Sequence, residues 1–180
     1  MSLNFKLRPT LVAYVTCGDP DLATTREIVL AAIDAGAQVV ELGVPFSDPV
    51  ADGPVIQRAS ERALKHGTTV AQVLELARDV RKQRPQAGLI VFSYLNPVLR
   101  MGLGRFCAAA ADAGVDGALI TDLTVDEAGD YLRAMRSRIN RGYGEVTRSR
   151  KIRITAGDIR DQRRLRVEVE RHLRLCQRNR

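Results

Sequence analysis

The sequence lacks the patterns that mark several large classes of protein. It has no apolar run near the roughly 20 residues that a membrane-spanning helix needs. Its three cysteines (Cys17, Cys107 and Cys176) fit no metal-binding spacing, and their odd number argues against a disulfide framework. P-loop, GxGxxG, HExxH and Cys–His metal motifs are all missing. The N-terminus has no secretory pattern, so we expect a cytoplasmic protein with no membrane partner.

Length and composition are those of one globular domain. The chain has 180 residues, of which 45% are hydrophobic and 27% are charged, values typical of a folded protein rather than a disordered one. The net charge of +7 hides an asymmetry. Residues 1–130 carry 12 basic and 16 acidic side chains, whereas residues 131–180 carry 16 basic and only 5 acidic ones. The two parts therefore need separate interpretations.

Two patterns alternate along the first three quarters of the chain. Short apolar runs predict strands over 11–16, 38–43, 88–94 and 117–122, and helical periodicity predicts helices over 24–36, 55–67, 70–84, 105–114 and 124–136. The strand runs are almost continuously apolar, as parallel strands covered on both faces are. The segments "DAGAQVVELG" and "DAGVDGALITD" are near copies, which fits repeated βα units. The sequence predicts an α/β fold, namely a partial TIM (β/α)8 barrel with four of its eight units visible.

Polar side chains at the ends of the predicted strands are the candidates for chemistry, because functional groups of parallel α/β folds gather there. These positions hold Thr16, Glu41, Tyr94 with Asn96, and Asp122. Glu41 is the sharpest candidate. A carboxyl group at the mouth of an apolar strand is partly desolvated, which raises its pKa towards the range of a general acid or base. The alternative is an ion pair between Glu41 and a neighbouring arginine or lysine.

Asp52 follows in the loop after the second predicted strand, within "ADGP". A helix is expected to begin near Pro54, so the alternative role for Asp52 is a helix N-cap or a turn residue. Together, Glu41 and Asp52 could divide the work of one reaction, one moving protons and the other orienting the substrate. Asp48 fits a turn or contact residue better than a catalyst, and Asn96, which precedes a proline, fits a turn.

The loop segment "ELGVPFSDPVADGP" (41–54) is similar, nearly letter for letter, to the signature of the tryptophan synthase alpha subunit. Three further segments follow the family's order and spacing: "AYVTCGDPD" (13–21), "FSYLNPVLRMG" (92–102) and "GVDGALITDLTVDEA" (114–128). The similarity covers residues 9–138. It implies a TIM-barrel lyase of tryptophan biosynthesis, which cleaves indole-3-glycerol phosphate to indole and glyceraldehyde 3-phosphate.

The resemblance also implies roles for individual residues. Glu41 would be the acid–base catalyst, and Asp52 would bind the indole N–H and favour the indolenine tautomer from which the carbon–carbon bond breaks. The positions that match the indole pocket are Tyr14, Phe92, Leu119 and Thr121.

A partner is implied as well. The family forms an alpha2-beta2 complex, and Asp48, Asn96 and Thr124 match positions that contact the beta subunit. At Thr124 the family commonly has proline, so this part of the interface departs from the family pattern. No cofactor is expected in this chain, since pyridoxal phosphate belongs to the beta subunit.

The family pattern stops near residue 138, and 139–180 form a basic tail. An alpha subunit continues through a mobile sixth loop and a glycine-rich phosphate site. The tail has three interpretations: a nucleic-acid-binding arm, although it lacks interleaved aromatics and an apolar face; a disordered charged segment; or a reading-frame slip. One choice of codons for 171–180, read one nucleotide later, spells Gly-Ile-Phe-Gly-Phe-Val-Ser-Val-Thr-Gly, which resembles the family's glycine-rich stretch. The alternatives to the lyase are a catalytically dead fragment that at most docks on the beta subunit, and a basic-tailed nucleic-acid-binding protein.

Overall fold

The computed structural model describes residues 11–124 and 127–129, together with the backbone of 153–156. In that part of the chain the strands are β1 (Val12–Thr16), β2 (Val39–Gly43), β3 (Gly88–Ser93), β4 (Gly117–Ile120) and β5 (Arg153–Ala156). The helices there are α1 (Leu22–Asp34), α2 (Pro54–Lys65), α3 (Val70–Gln83), α4 (Leu95–Met101) and α5 (Leu103–Asp112). The strands form one sheet in the order β1-β2-β3-β4-β5, and every pair is parallel. Sequential parallel pairing with helical crossovers builds the wall of a (β/α)8 barrel.

The predicted strands and the first four predicted helices are confirmed, with ends that differ by a few residues. α4 is an addition, and it corrects the interpretation of Asn96 as a turn residue. Asn96 lies in the first turn of α4, where the following Pro97 is tolerated because its missing N–H has no intrahelical partner there. The helix predicted over 124–136 and the tail at 139–180 lie outside the described residues, except for 127–129 and the backbone of β5.

Capping residues set the helix ends that the sequence pattern predicted. Asp21 accepts a hydrogen bond from the Thr24 N–H at 2.7 Å and begins α1. Thr69 and Gln72 form a capping box at the start of α3. Gly114 follows α5 with a φ of 73°, a conformation that favours glycine. These ends bring the chain back to the sheet, so that every strand enters from the same side.

The two faces of the sheet have different surroundings. On the outer face, the side chains of Val40, Leu42, Leu89, Val91 and Ile120 are fully buried against the helices. The inner face is formed by alternate residues of the same strands. Its side chains at the centre of the sheet are only half-buried within the described part of the chain, namely Tyr14, Glu41, Ile90, Phe92 and Leu119. The described residues therefore complete the outer hydrophobic layer and leave the inner one accessible. No helix among them is long and apolar enough to cross a bilayer.

Arg81, near the end of α3, joins this helix to the end of the sheet where the strands begin. Its side chain is 10% exposed and donates hydrogen bonds to the carbonyls of Ala87 (2.6 Å) and Gly114 (2.9 Å). It also forms an ion pair with Asp116, whose carboxylate accepts the Leu89 N–H at 2.9 Å. One arginine thus ties together the segments that lead into β3 and β4, at the end of the sheet opposite to the strand ends that hold the candidate residues.

Candidate active site

The strand register brings four of the predicted site residues to the inner face of the sheet. Tyr14 pairs with Glu41, Gly43 with Phe92, and Phe92 with Leu119. Because paired residues of neighbouring strands point to the same side, Tyr14, Glu41, Phe92 and Leu119 share this face. Phe92 and Leu119 lie next to the ends of β3 and β4, where (β/α)8 barrels carry their active sites. Tyr14 and Glu41 lie in the middle of β1 and β2, so the expectation that Glu41 stands at the end of its strand is wrong.

Tyr14 and Phe92 form an aromatic wall across β2. Their ring centroids are 5.2 Å apart and their planes meet at 82°, an edge-to-face contact. The contact passes over Gly43, where a Cβ atom would collide with the Tyr14 hydroxyl and ring. Burial raises the pKa of Tyr14 to about 12, and the nearby negative charges of Asp52 and Glu41 act in the same direction. The Tyr14 side chain is therefore a neutral part of the wall.

Replacing Gly43 with alanine is expected to separate the two rings and to lower the free energy of unfolding by about 1–3 kcal/mol, because the new methyl group needs space that Tyr14 occupies. Urea denaturation and the nuclear Overhauser effects between Tyr14 and Phe92 measure both results. Gly129→Ala is the matched control, since its Cβ would meet nothing within 4 Å. Unchanged stability together with retained ring contacts would show that Gly43 does not provide the space for Tyr14.

Glu41 lies in the middle of β2, between the fully buried side chains of Val40 and Leu42, and is itself half-buried. Burial raises the pKa of its carboxyl group above the usual value. The ion pairs within the described part of the chain do not include Glu41. The alternative that Glu41 pairs with an arginine or lysine is therefore not found among these residues. A half-buried carboxyl group with a raised pKa is suited to take up and release a proton.

Asp52 lies at the rim of the inner face, in the loop between β2 and α2. Its carboxylate accepts a hydrogen bond from the Tyr94 hydroxyl at 3.2 Å, and that hydroxyl accepts the Ala51 N–H at 2.9 Å. Burial raises the pKa of Asp52, and the hydrogen bond from Tyr94 opposes this effect. The N-cap of α2 is Gly53, so the alternative of Asp52 as an N-cap is wrong. The turn alternative is retained, since the Asp52 N–H donates to the Pro49 carbonyl at 3.1 Å.

Tyr94 is a site residue whose role the sequence did not indicate. The sequence placed it at the end of a strand, but its contact with Asp52 joins residues 42 positions apart. Its ring also packs against Phe46, with a centroid distance of 5.2 Å. The only available signal was the position itself, a polar aromatic side chain at the point where a buried parallel strand ends.

The other predicted residues lie at the same rim. Thr121 is buried, and its N–H donates to the Ser93 carbonyl at 3.0 Å. Asp48, Asn96 and Thr124 are all exposed, in the segments that follow β2, β3 and β4. The three positions that match the partner interface therefore share one end of the sheet.

The Thr124 side chain makes a local contact with Glu127. Its hydroxyl donates to the Glu127 carboxylate at 3.0 Å and accepts the Glu127 N–H at 3.4 Å. The helix predicted over 124–136 stays a prediction.

No other feature of the described residues competes with this site. They contain no group of three or more side chains that could hold a metal ion. A shallow cavity of about 320 Å³ lies beside the loop after β2, lined by residues that include Phe46, Asp48, Val50 and Glu61. Neither Glu41 nor Asp52 lines it, so the arrangement on the inner face remains the place where two carboxyl groups and an aromatic wall meet.

Comparisons with known proteins agree with this geometry. A family model described as "Tryptophan synthase alpha chain" matches residues 1–142. The tryptophan synthase alpha chain of Solibacter usitatus is 57% identical over 128 residues, which are 71% of this chain and 48% of that relative. The chain of the same name from Dechloromonas aromatica is 50% identical over 136 residues, 76% of this chain and 51% of that relative.

Solved structures give the same result. The crystal structure of tryptophan synthase subunit alpha from Legionella pneumophila matches with a TM-score of 0.69 and 41% identity, over 71% of this chain and 49% of that one. Mycobacterium tuberculosis tryptophan synthase matches with a TM-score of 0.68 and 36% identity, over 72% of this chain and 50% of that one. The chain spans about half the length of the curated relatives it matches. The prediction of a partial TIM barrel is confirmed.

Proposed function

Because the chain belongs to the tryptophan synthase alpha chain family, we propose that it carries the acid–base residues of a lyase that cleaves indole-3-glycerol phosphate to indole and glyceraldehyde 3-phosphate. The observation that carries the proposal is the position of Glu41. Its carboxyl group is half-buried, has a raised pKa, and shares the inner face with the Tyr14–Phe92 wall. Asp52 lies at the rim of the same face.

The reaction needs two kinds of proton transfer. Indole C3 must gain a proton as the ring nitrogen loses one, which gives the indolenine. The bond between C3 and the glycerol carbon then breaks and its electron pair returns to the ring, so that the ring nitrogen takes back the proton it gave up. The hydroxyl of the glycerol carbon loses a proton as that carbon becomes the aldehyde. Glu41 is suited to supply and remove protons because burial favours its protonated form.

The remaining residues bind and orient. The Asp52 carboxylate accepts the indole N–H and favours the tautomer in which that proton has left. Tyr14, Phe92 and Leu119 provide an apolar surface for the indole ring. These steps use side chains of this chain alone, and pyridoxal phosphate stays with the partner.

The direct test is to incubate the 180-residue chain with indole-3-glycerol phosphate and to measure indole and glyceraldehyde 3-phosphate together. Equal amounts of both products are expected. We expect a rate far below that of the Solibacter usitatus chain, because this chain spans about half of that relative and the resemblance places the phosphate site in the other half. Failure to form products, both alone and with the remaining half of that relative added in trans, would reject the proposal.

Asp52→Asn is expected to lower kcat/KM for indole release by about 10- to 100-fold, because the amide keeps the shape of the side chain but not the charge that accepts the indole proton. Steady-state kinetics with colorimetric detection of indole measure the effect. Glu61→Gln, which changes an exposed carboxylate on α2, serves as the control and should leave the rate unchanged. A variant with full activity would remove Asp52 from the mechanism.

The same family membership leads us to infer a beta-subunit partner. The exposed positions of Asp48, Asn96 and Thr124 at one end of the sheet support a common docking surface, and isothermal titration with a tryptophan synthase beta subunit measures the association directly. If the chain is an inactive fragment, it would bind the beta subunit but release no indole. The nucleic-acid alternative concerns 139–180, of which the structure describes only the β5 backbone, and it stays a prediction.

A further inference from the structure

We propose that Tyr94 is a positioning residue for Asp52, and that its hydroxyl holds the Asp52 carboxylate in the orientation needed at the rim of the inner face. The importance of that orientation for catalysis rests on the proposed function. The positioning itself rests on hydrogen bonds that exist without substrate.

The geometry uses both hydrogen-bonding capacities of the Tyr94 hydroxyl. Its oxygen accepts the Ala51 N–H at 2.9 Å, and its single proton is directed to Asp52 Oδ2 at 3.2 Å. Ala51 and Asp52 are consecutive residues. One side chain from the end of β3 therefore fixes both the backbone of the loop after β2 and the carboxylate that this loop carries.

Tyr94 is itself held in place by burial, by a ring contact and by the anchored amide of the next residue. Its side chain is 3% exposed, and its ring packs against Phe46. The next amide, that of Leu95, donates to Asp122 Oδ1 at 2.6 Å. Tyr94 is the N-cap of α4, but its own side chain does not cap the helix. Asp122, which follows β4, supplies the missing acceptor for the first turn of α4. A donor fixed in this way needs no reorganisation when a substrate binds.

The charges around the hydroxyl favour its role as a donor. Burial raises the pKa of Tyr94 to about 12, and the charges of Asp52 and Asp122 add to this effect. The hydroxyl therefore keeps its proton throughout the working pH range. Among the described residues, Tyr14 is a second phenol near Asp52, and its pKa is also raised by burial. In turn, the hydrogen bond from Tyr94 lowers the pKa of Asp52 against the effect of burial.

Tyr94→Phe tests the proposal in the 180-residue chain, because it removes the hydroxyl and keeps the ring. The pKa of Asp52, followed by carbon-13 NMR of its carboxyl group and assigned with Asp52→Asn, is expected to move upwards. Indole release is expected to lose about 2- to 10-fold in kcat/KM, the loss that one ordinary hydrogen bond accounts for. Phe46→Leu is the matched control: it removes the ring contact but keeps the hydroxyl, and should shift the Asp52 titration much less than Tyr94→Phe does.

An unchanged Asp52 titration in Tyr94→Phe would overturn the positioning role, whatever the rate of indole release. A shifted titration in a chain that releases no indole, even with the remaining half of the Solibacter usitatus relative added in trans, would keep the positioning role and reject the proposed function instead. If circular dichroism shows that Tyr94→Phe does not fold, the reciprocal measurement uses Asp52→Asn. There the Cζ resonance of Tyr94 is expected to shift, and an unchanged resonance would overturn the proposal.

Discussion

Glu41→Gln is expected to lower indole release by about 10²- to 10⁴-fold and, in the same chain, to raise the stability of the fold at neutral pH. The loss of rate follows because glutamine cannot exchange a proton, and general acid–base catalysis contributes about this factor. The gain in stability follows from the raised pKa. A carboxyl group that burial disfavours in its ionised form weakens the folded state whenever it is ionised.

The sign of the stability effect depends on pH. The pKa of Glu41 is higher in the folded than in the unfolded chain, so its stabilising contribution is fully present below the unfolded pKa and is lost as the pH rises through the folded pKa. At pH 7 the variant should therefore gain about 0.5–1 kcal/mol over the parent. The difference should vanish at about pH 3, well below the usual glutamate pKa of about 4.3, because the carboxyl group is then protonated in both states.

Urea denaturation at the two pH values, together with the indole assay, checks this expectation. Glu75→Gln, which changes an exposed carboxylate on α3, provides the control for loss of a negative charge and should alter neither quantity. If Glu41→Gln is less stable than the parent at pH 7, the ionised carboxylate has a cationic partner in the folded chain, and the raised pKa is not its defining property.

Arg81→Met is expected to lower the free energy of unfolding by about 2–4 kcal/mol. The substitution removes the guanidinium that donates to the carboxylate of Asp116 and to the carbonyls of Ala87 and Gly114. Breaking a largely buried ion pair from one side costs several kcal/mol. The estimate is kept below the cost of a fully buried pair because Asp116 is 24% exposed.

Arg84→Met is the matched control for this prediction, since it removes an arginine three positions further along the same chain segment. Arg84 binds both carboxylate oxygens of Asp34 at 2.7 Å, but the two side chains are 37% and 55% exposed. An exposed pair of this kind contributes little to stability, because water and salt screen its charges. Urea denaturation of both variants separates the two cases. Equal losses would show that the contacts of Arg81 with backbone carbonyls do not matter for stability.

The sequence was sufficient for β1 to β4 and for the place of Glu41 in β2, but not for β5, which lies in the segment interpreted as a basic tail. A nearly continuous apolar run is typical of a parallel strand that is covered on both faces, and a pattern of that kind is visible in one dimension. Glu41 interrupts such a run, so its special position could be predicted before its surroundings were known. Its lack of an ion-pair partner among the described residues could not, because that depends on which side chains surround it in space.

The features that sequence reasoning missed depend on contacts between distant segments. α4 has seven residues and contains an Asn-Pro pair that is typical of a turn, and its first amide is satisfied by Asp122, 27 positions further on. The role of Tyr94 depends in the same way on Asp52. The capping box of Thr69 and Gln72 lies within four consecutive residues, so it is visible in the sequence. Asp122 and Asp52 lie far along the chain from the residues they contact, so the sequence gives no local signal of these contacts.

The separation of the sheet into two faces suggests a use for this chain as a sensor. Within the described residues, helices cover the outer face of the sheet, whereas the inner face is accessible. The inner face carries Glu41, and Asp52 lies at its rim. A complementary polypeptide that supplies the remaining barrel strands would have to cover the inner face alone. Fused to two interacting proteins, such a pair of halves would form a split-enzyme reporter, in which the release of indole signals that the fused proteins have met.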